Sequence, residues 1–272
     1  MSVHSAQSQR VTTRTLRQMK EQGEKISMLT AYDYTLASII DEAGIDIILV
    51  GDSASNVVCG NSTTLPISLD EMIFLTKGVR RAAKRAFVLF DMPFGSYQES
   101  DDSGMRNAIR VMKETGADGL KIEGGHQIIP LVKRLTAAGI PVMAHLGLTP
   151  QSVNQFGGFA LRAKEEKEAQ QLFDDSLALE EAGCFSLLYE KIPAALGTKV
   201  TNAVKVPTIG IGAGAGMDGQ VLVLHDMLGI TQGFQPKFLR RFANIGQTIK
   251  EATEQYIAAV KDNSFPNQEE QY

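Results

Sequence analysis

One pattern constrains this chain above all others. A short, nearly uninterrupted apolar run ends in a polar residue, an amphipathic stretch closed by glycine follows, and the sequence of events repeats. IILV runs into Gly51, Asp52 and Ser53; FVLFD ends at Asp91; GLKIE carries Lys121 and Glu123; PVMAHLG contains His145; SLLYE ends at Glu190. Strands that are apolar throughout, rather than at every second residue, belong to parallel sheets covered by helices. Eight such β and α units in roughly 240 residues point to an α/β fold of the (β/α)8 TIM-barrel type. An open doubly wound sheet is the competing arrangement. It would gather its polar groups at one switch point, whereas here nearly every strand is polar-tipped.

The helical stretches carry their own punctuation. An extra helix, Val11 to Gln22, precedes the first strand, KISMLTAYDY, and TLASIIDEAG follows that strand. A helix from Leu69 to Lys84 has Ser68 as N-cap and Glu71 as the return partner of a capping box. Helices over Asp101 to Thr115 and Gln127 to Ala138 stop at Gly116 and Gly139, where a left-handed residue is wanted. Strand seven is read as VPTIGIGAG and strand eight as VLVLHDM, and Pro236 to Val260 forms a closing helical region. Residues 11–262 are thus expected to form a single barrel domain, with a flexible N-terminus over 1–10 and a flexible C-terminal tail over 263–272.

A formal net charge of -4 excludes the clustered positive field that nucleic acid or an anionic membrane requires, which leaves small molecules as partners. Cys59 and Cys184 stand far apart, with no metal or disulfide spacing. No apolar run approaches the roughly 18 residues of a membrane span. MSVHSAQSQR lacks the apolar centre of a secretory signal. Its Arg- and Ser-rich, acid-poor character also fits an organellar transit peptide, but VTTRTLRQMKEQG already reads as a helix of the domain, so a cytoplasmic location is expected.

In a barrel, the C-terminal ends of all strands meet at one mouth. Asp52, Asp91, Lys121, Glu123, His145 and Glu190 should therefore lie together despite their spread along the chain. Gathered carboxylates repel unless something positive sits among them, and a hard divalent cation such as Mg2+ suits oxygen ligands while leaving positions open. Lys121 would hold a carboxylate or a developing enolate, and Glu190 would act as base beside a carbonyl. Each residue also has a purely structural reading. Asp52 and Asp91 could cap turns, Lys121 and Glu123 could pair, and His145 could be hydrogen-bonded and inert. A structural role is expected for His225 and Asp226. Gly214, Gly216 and Gly219 satisfy GxGxxG, but the run leads to a strand rather than opening a helix, so no dinucleotide site is expected.

Seven segments in order, LTAYDY, LVGDS, TTLPISLDEM, DMPFGSY, KIEGG, HLGLTPQSVNQFGG and IGIGAGAGMDGQVLVLHDMLGI, resemble the ketopantoate hydroxymethyltransferase family. The resemblance extends from about Val11 to Phe242. It implies a barrel of the phosphoenolpyruvate/pyruvate superfamily and a Mg2+-dependent, aldol-type reaction through a stabilised enolate. A hydroxymethyl group would pass from 5,10-methylenetetrahydrofolate to 3-methyl-2-oxobutanoate to give 2-dehydropantoate, a step of pantothenate and coenzyme A biosynthesis. By motif, Asp52, Asp91 and Glu123 would form the metal group. Asp52, Ser53, Asp91 and Lys121, with His145, would contact the oxo acid, and Glu190 would be the proton acceptor. The loop from Leu146 to Phe159 would close over substrate. The resemblance also implies a homo-oligomer, a decamer built from rings. The chain departs from the commoner family run at Ala54, Ser55 and Asn56, and again from Phe159 to Ala163. An oxo-acid lyase or mutase of the same superfamily, and a catalytically silent barrel, are the alternatives. The first would bring a cysteine-bearing KKCGH-like loop, which is absent; the second would have lost some of the carboxylates, all of which are present.

Overall fold

A computed structural model describes residues 10–233 and 235–272. The flexible segment expected over 1–10 therefore lies, but for Arg10, outside the described residues. The chain divides into two compact units, one ending at Leu222 and one running from Val223 to Tyr272. In the first unit, eight parallel strands close into a barrel in sequence order, β1 paired with both β2 and β8. They are β1 Ile26–Thr30, β2 Ile47–Val50, β3 Phe87–Asp91, β4 Gly119–Glu123, β5 Val142–Gly147, β6 Ser186–Glu190, β7 Thr208–Ile211 and β8 Gly219–Leu222. The helices of this unit are α1 Thr13–Gln22, α2 Tyr34–Glu42, α3 Ala54–Val57, α4 Leu69–Ala82, α5 Asp101–Thr115, α6 Ile129–Ala137, α7 Val153–Phe156, α8 Glu166–Glu181 and α9 Ala194–Ala203.

Alternation of side chains along a strand decides what fills the barrel. Met28, Leu49, Leu89, Met143, Leu188, Ile209 and Val221 belong to one buried cluster, and each full burial of such a side chain is worth about 1.5–3 kcal/mol. The residues between them, such as Ile48, Val88, Leu120, Ala144 and Leu187, are buried as well, which is why the strands read as continuous apolar runs. Val11 and, from α1, Leu16 and Met19 join the same cluster at Ile26, Ile47 and Phe87, the first residues of their strands. The extra N-terminal helix therefore plugs the end of the barrel opposite the mouth. Two residues on from the cluster, the same inward parity delivers Asp91 after Leu89, His145 after Met143 and Glu190 after Leu188.

Local signals explain the helix boundaries. The capping box of Ser68 and Glu71 starts α4, and Gly116 ends α5 in the left-handed conformation. Strand eight requires a correction. It begins within the glycine-rich stretch, because Gly219 pairs with Ile26 and closes the barrel there, and it ends at Leu222. Gly214, at φ +91, turns the chain tightly where any Cβ would strike Ala194, so the glycine run serves a barrel corner. Among the described residues no helix is long and apolar enough to cross a membrane.

In the second unit, α10 Leu224–Met227 contains His225 and Asp226, which are thus helical rather than strand-terminal. The closing helix α11 spans Ile245–Lys261, shorter than the expected Pro236 to Val260 at its start. The preceding chain is held instead by Phe242 N–H donating to Met227 O and Ile245 N–H to Leu228 O.

Candidate active site

The inward residues at the ends of β3 to β6 form a line of alternating charge. Strand register sets Asp91 opposite Lys121 and Glu123 opposite His145. Lys121 Nζ donates to Asp91 Oδ1 at 2.7 Å and lies 3.6 Å from Glu123 Oε1. The same Glu123 oxygen is 3.3 Å from His145 Nδ1, and His145 Nε2 is 3.5 Å from Glu190 Oε2. Asp52, just past β2, joins the line by donating its backbone N–H to Asp91 Oδ2 at 3.0 Å. Ser53 Oγ shares a 2.8 Å hydrogen bond with the Tyr32 hydroxyl. All seven residues singled out in the sequence are thus at one mouth, drawn from β2 through β6.

Burial governs their protonation. Asp52 and Asp91 are pushed upward, by burial first and then, for Asp52, by the neighbouring charge of Asp91; Lys121 only partly offsets this. Glu190 is raised to about 8, by burial and by the charge of Glu123. Burial would also raise Glu123, but Lys121, His145 and the Gln151 N–H outweigh it and hold this carboxyl below its ordinary range. Lys121 is the reverse case: burial opposes its charge, yet Asp91, Glu123 and Asp52 lift it well above an ordinary lysine. Burial and Lys121 together depress the His145 imidazole.

Four carboxylates thus face one ammonium, a surplus of negative charge that low-dielectric surroundings tolerate poorly. Glu123 Oε1 and both nitrogens of His145 are buried without a hydrogen bond inside the protein. Among the described residues no three His, Cys, Asp or Glu converge into a ready-made metal cage, since Lys121 stands between Asp91 and Glu123. The donor set therefore fits a hard cation of the Mg2+ kind, held by one or two carboxylates and completed by water and substrate.

The loop after β5 is fastened beside Glu190. Leu148 N–H donates to Glu190 O at 2.8 Å, Arg162 N–H to Lys191 O at 2.8 Å, and the Lys191 ammonium to Phe159 O. Within it the turn Pro150–Ser152 runs into α7. This loop supplies a residue that sequence reasoning missed, Gln151, which touches both Asp52 and Glu123; Tyr97, from the loop after β3, touches Glu123 and Gln151. Both lie inside segments already notable for their resemblance, HLGLTPQSV and DMPFGSY, but no periodicity marks them.

A family model described as ketopantoate hydroxymethyltransferase matches residues 10–268. The chain is 58% identical over 265 residues to the 3-methyl-2-oxobutanoate hydroxymethyltransferase of Parabacteroides distasonis, covering 97% of each chain. It is 55% identical over 272 residues to that of Flavobacterium johnsoniae, covering the whole of both. Among solved structures, phosphonopyruvate hydrolase in complex with oxalate and Mg2+ gives a TM-score of 0.62 at 12% identity, over 96% of this chain and 93% of that one. For 2,3-dimethylmalate lyase, a member of the PEP mutase/isocitrate lyase superfamily, the TM-score is 0.56 at 15% identity, over 96% and 91%. At such identities what is shared with these two is the barrel fold.

Proposed function

The chain belongs to the ketopantoate hydroxymethyltransferase family, and from that premise we propose how the residues of its barrel mouth divide the work. The enzyme transfers a hydroxymethyl group to 3-methyl-2-oxobutanoate, giving 2-dehydropantoate. The donor in this reading is 5,10-methylenetetrahydrofolate. Mg2+ would be held by carboxylates drawn from the group Asp52, Asp91 and Glu123. When bound, the cation supplies the electrophilic pull on the ketone that makes the neighbouring C–H acidic.

The protein's own groups do the rest. Lys121 faces the substrate carboxylate and the oxygen on which charge develops, while Asp91 and Glu123 keep its ammonium in place. Ser53, oriented by Tyr32, donates to the oxo acid. Glu190 removes the C3 proton: its raised pKa gives a base poised near neutral pH rather than a permanently ionised carboxylate. Water opens the methylene bridge of the donor, both C–N bonds breaking to release tetrahydrofolate and a one-carbon unit at the oxidation level of formaldehyde. The C3 carbon adds to that unit, whose oxygen, which came from the water, takes up a proton to become the new hydroxyl. His145 faces the base, its Nε2 3.5 Å from Glu190 Oε2. The observation that carries this reading is the single line of contacts from Asp91 through Lys121, Glu123 and His145 to Glu190, which joins an electrophilic end to a basic end.

The same reading places the enzyme in the cytoplasm and in a homo-oligomer, a decamer. Ile39, Phe74 and Ile109 support assembly: these large apolar side chains are exposed on α2, α4 and α5, helices that pack in succession around the barrel. The assignment of the electrophilic end is tested by calorimetric titration of 3-methyl-2-oxobutanoate with and without Mg2+. Mg2+ should tighten binding to the wild type by about tenfold or more, and Asp91→Ala should lose that gain. Identical wild-type titrations in the two conditions would remove the cation from the account.

A further inference from the structure

Gln151 sits on the turn that opens the loop after β5, is 6% exposed, and leaves none of its side-chain hydrogen-bonding groups idle. Its Nε2 donates to Asp52 Oδ2 at 3.0 Å and to the Met92 carbonyl at 2.9 Å. Its Oε1 accepts from the Tyr97 hydroxyl at 2.8 Å and from Gln98 Nε2 at 2.9 Å. A side-chain amide offers two donor hydrogens and two acceptor lone pairs, and all four are in use. Its backbone N–H donates to Glu123 Oε2 at 2.9 Å. One residue thus grips two carboxylates that lie 99 and 28 positions away in the chain.

The direction of the amide is fixed by its neighbour. The Met92 carbonyl can only accept, so the amide nitrogen faces Met92 and Asp52, and the amide oxygen faces the Tyr97 hydroxyl, which also accepts from Glu123 N–H at 3.0 Å. An amide in this place complements a carboxylate anion without adding charge to a cluster that already carries an excess. A hydrocarbon of equal volume would leave Asp52 Oδ2 buried without a partner, and such a loss is costly.

We propose, on the metal-assisted reading above, that Gln151 is a positioning residue. Hydrogen-bonded to Met92 and Tyr97, it holds the Asp52 and Glu123 carboxylates in place and so sets the affinity of the mouth for Mg2+. Partners one layer outside a metal's ligands typically change its affinity by about 10- to 100-fold when removed. The loop after β5 is then part of the cation site rather than a cover over it.

The test is direct Mg2+ binding, by calorimetry on the folded full chain, for the wild type, Gln151→Met, Tyr97→Phe and the double variant. Gln151→Met should weaken Mg2+ by about 10- to 100-fold, and Tyr97→Phe by a smaller factor. The double variant should lose less than the sum of the two single losses, because Tyr97 acts partly through the amide and partly on the Glu123 backbone. Excess Mg2+ should restore turnover of Gln151→Met, the mark of lost affinity rather than damaged chemistry. A wild-type Mg2+ affinity in Gln151→Met would overturn the proposal while leaving the metal-assisted reading standing. Strictly additive losses, or turnover that excess Mg2+ fails to restore, would also overturn it. A wild type that binds no Mg2+ would overturn both. If Gln151→Met does not fold, Tyr97→Phe carries the test, and an unchanged Mg2+ affinity there counts against the proposal.

Discussion

Glu123 and Glu190 are both buried glutamates at strand ends, yet their surroundings push them in opposite directions. Lys121, His145 and the Gln151 N–H hold Glu123 as an anion, whereas at Glu190 burial and the charge of Glu123 outweigh Lys121 and Lys191 and raise it to about 8. Such divergence between like groups is how one site separates a charge-bearing role from a proton-transferring one. A rate follows from it. Glu190 accepts a proton only when ionised, so kcat/KM should climb with pH through a midpoint at or below pH 8 and then level off, the bound cation drawing the limb downward. A profile flat between pH 5 and 8 would place the base elsewhere. Stability moves the other way. The folded pKa exceeds the unfolded value of about 4.3, so the native state of the metal-free protein binds the extra proton between these values and loses stability as pH rises through that window. Glu190→Gln should therefore raise the melting temperature of the metal-free protein by several degrees at pH 9 and leave it nearly unchanged at pH 5, as calorimetry would record.

At the scale of elements, β5 and β6 pack closely where the base is held. Gly147 closes β5 at φ +87, and a Cβ there would strike the carbonyl of Glu190 and the side chain of Ile192. Gly147→Ala should displace the base and lower kcat by about tenfold or more, the size of effect that a small misplacement of a catalytic group produces, with Mg2+ binding retained. Ser68→Ala is the contrasting case. It removes the cap of α4, should cost about 1 kcal/mol in denaturant unfolding, and should leave kcat alone. The two changes also mark what the sequence made legible. Ser68 and Glu71 announce a helix start through a short-range pattern, and they form it as read. Strand endings at Asp91, Glu123 and Glu190 were equally readable, because an apolar run interrupted by a carboxylate is a local event. Strand eight was not. Its start is set by pairing of Gly219 with Ile26, nearly the whole barrel away in sequence, and the apolar VLVL that followed drew the reading past its true end. Gln151 was invisible for the same reason. A hydrogen bond spanning 99 residues leaves no period in the chain.

For the whole molecule, barrel closure converts five separate strand endings into one electrostatic object, with more negative charge than its burial favours. Anything cationic that fits should stabilise the fold by mass action, by about 2.7 kcal/mol at a hundredfold excess over its dissociation constant. Thermal melting with and without Mg2+ should therefore show a rise in the wild type that shrinks in Asp91→Ala; equal shifts in the two would mean that Mg2+ acts outside the mouth. Sedimentation should find the large ring-based assembly rather than a monomer. If this mouth joins a cation-polarised ketone to Glu190 as base, the C3 proton of 3-methyl-2-oxobutanoate must exchange with D2O on the enzyme, which proton NMR follows without the folate donor. The wild type should exchange this proton only when Mg2+ is present, and Glu190→Gln should not exchange it while still binding the oxo acid. Exchange that persists in Glu190→Gln at the wild-type rate would contradict the account.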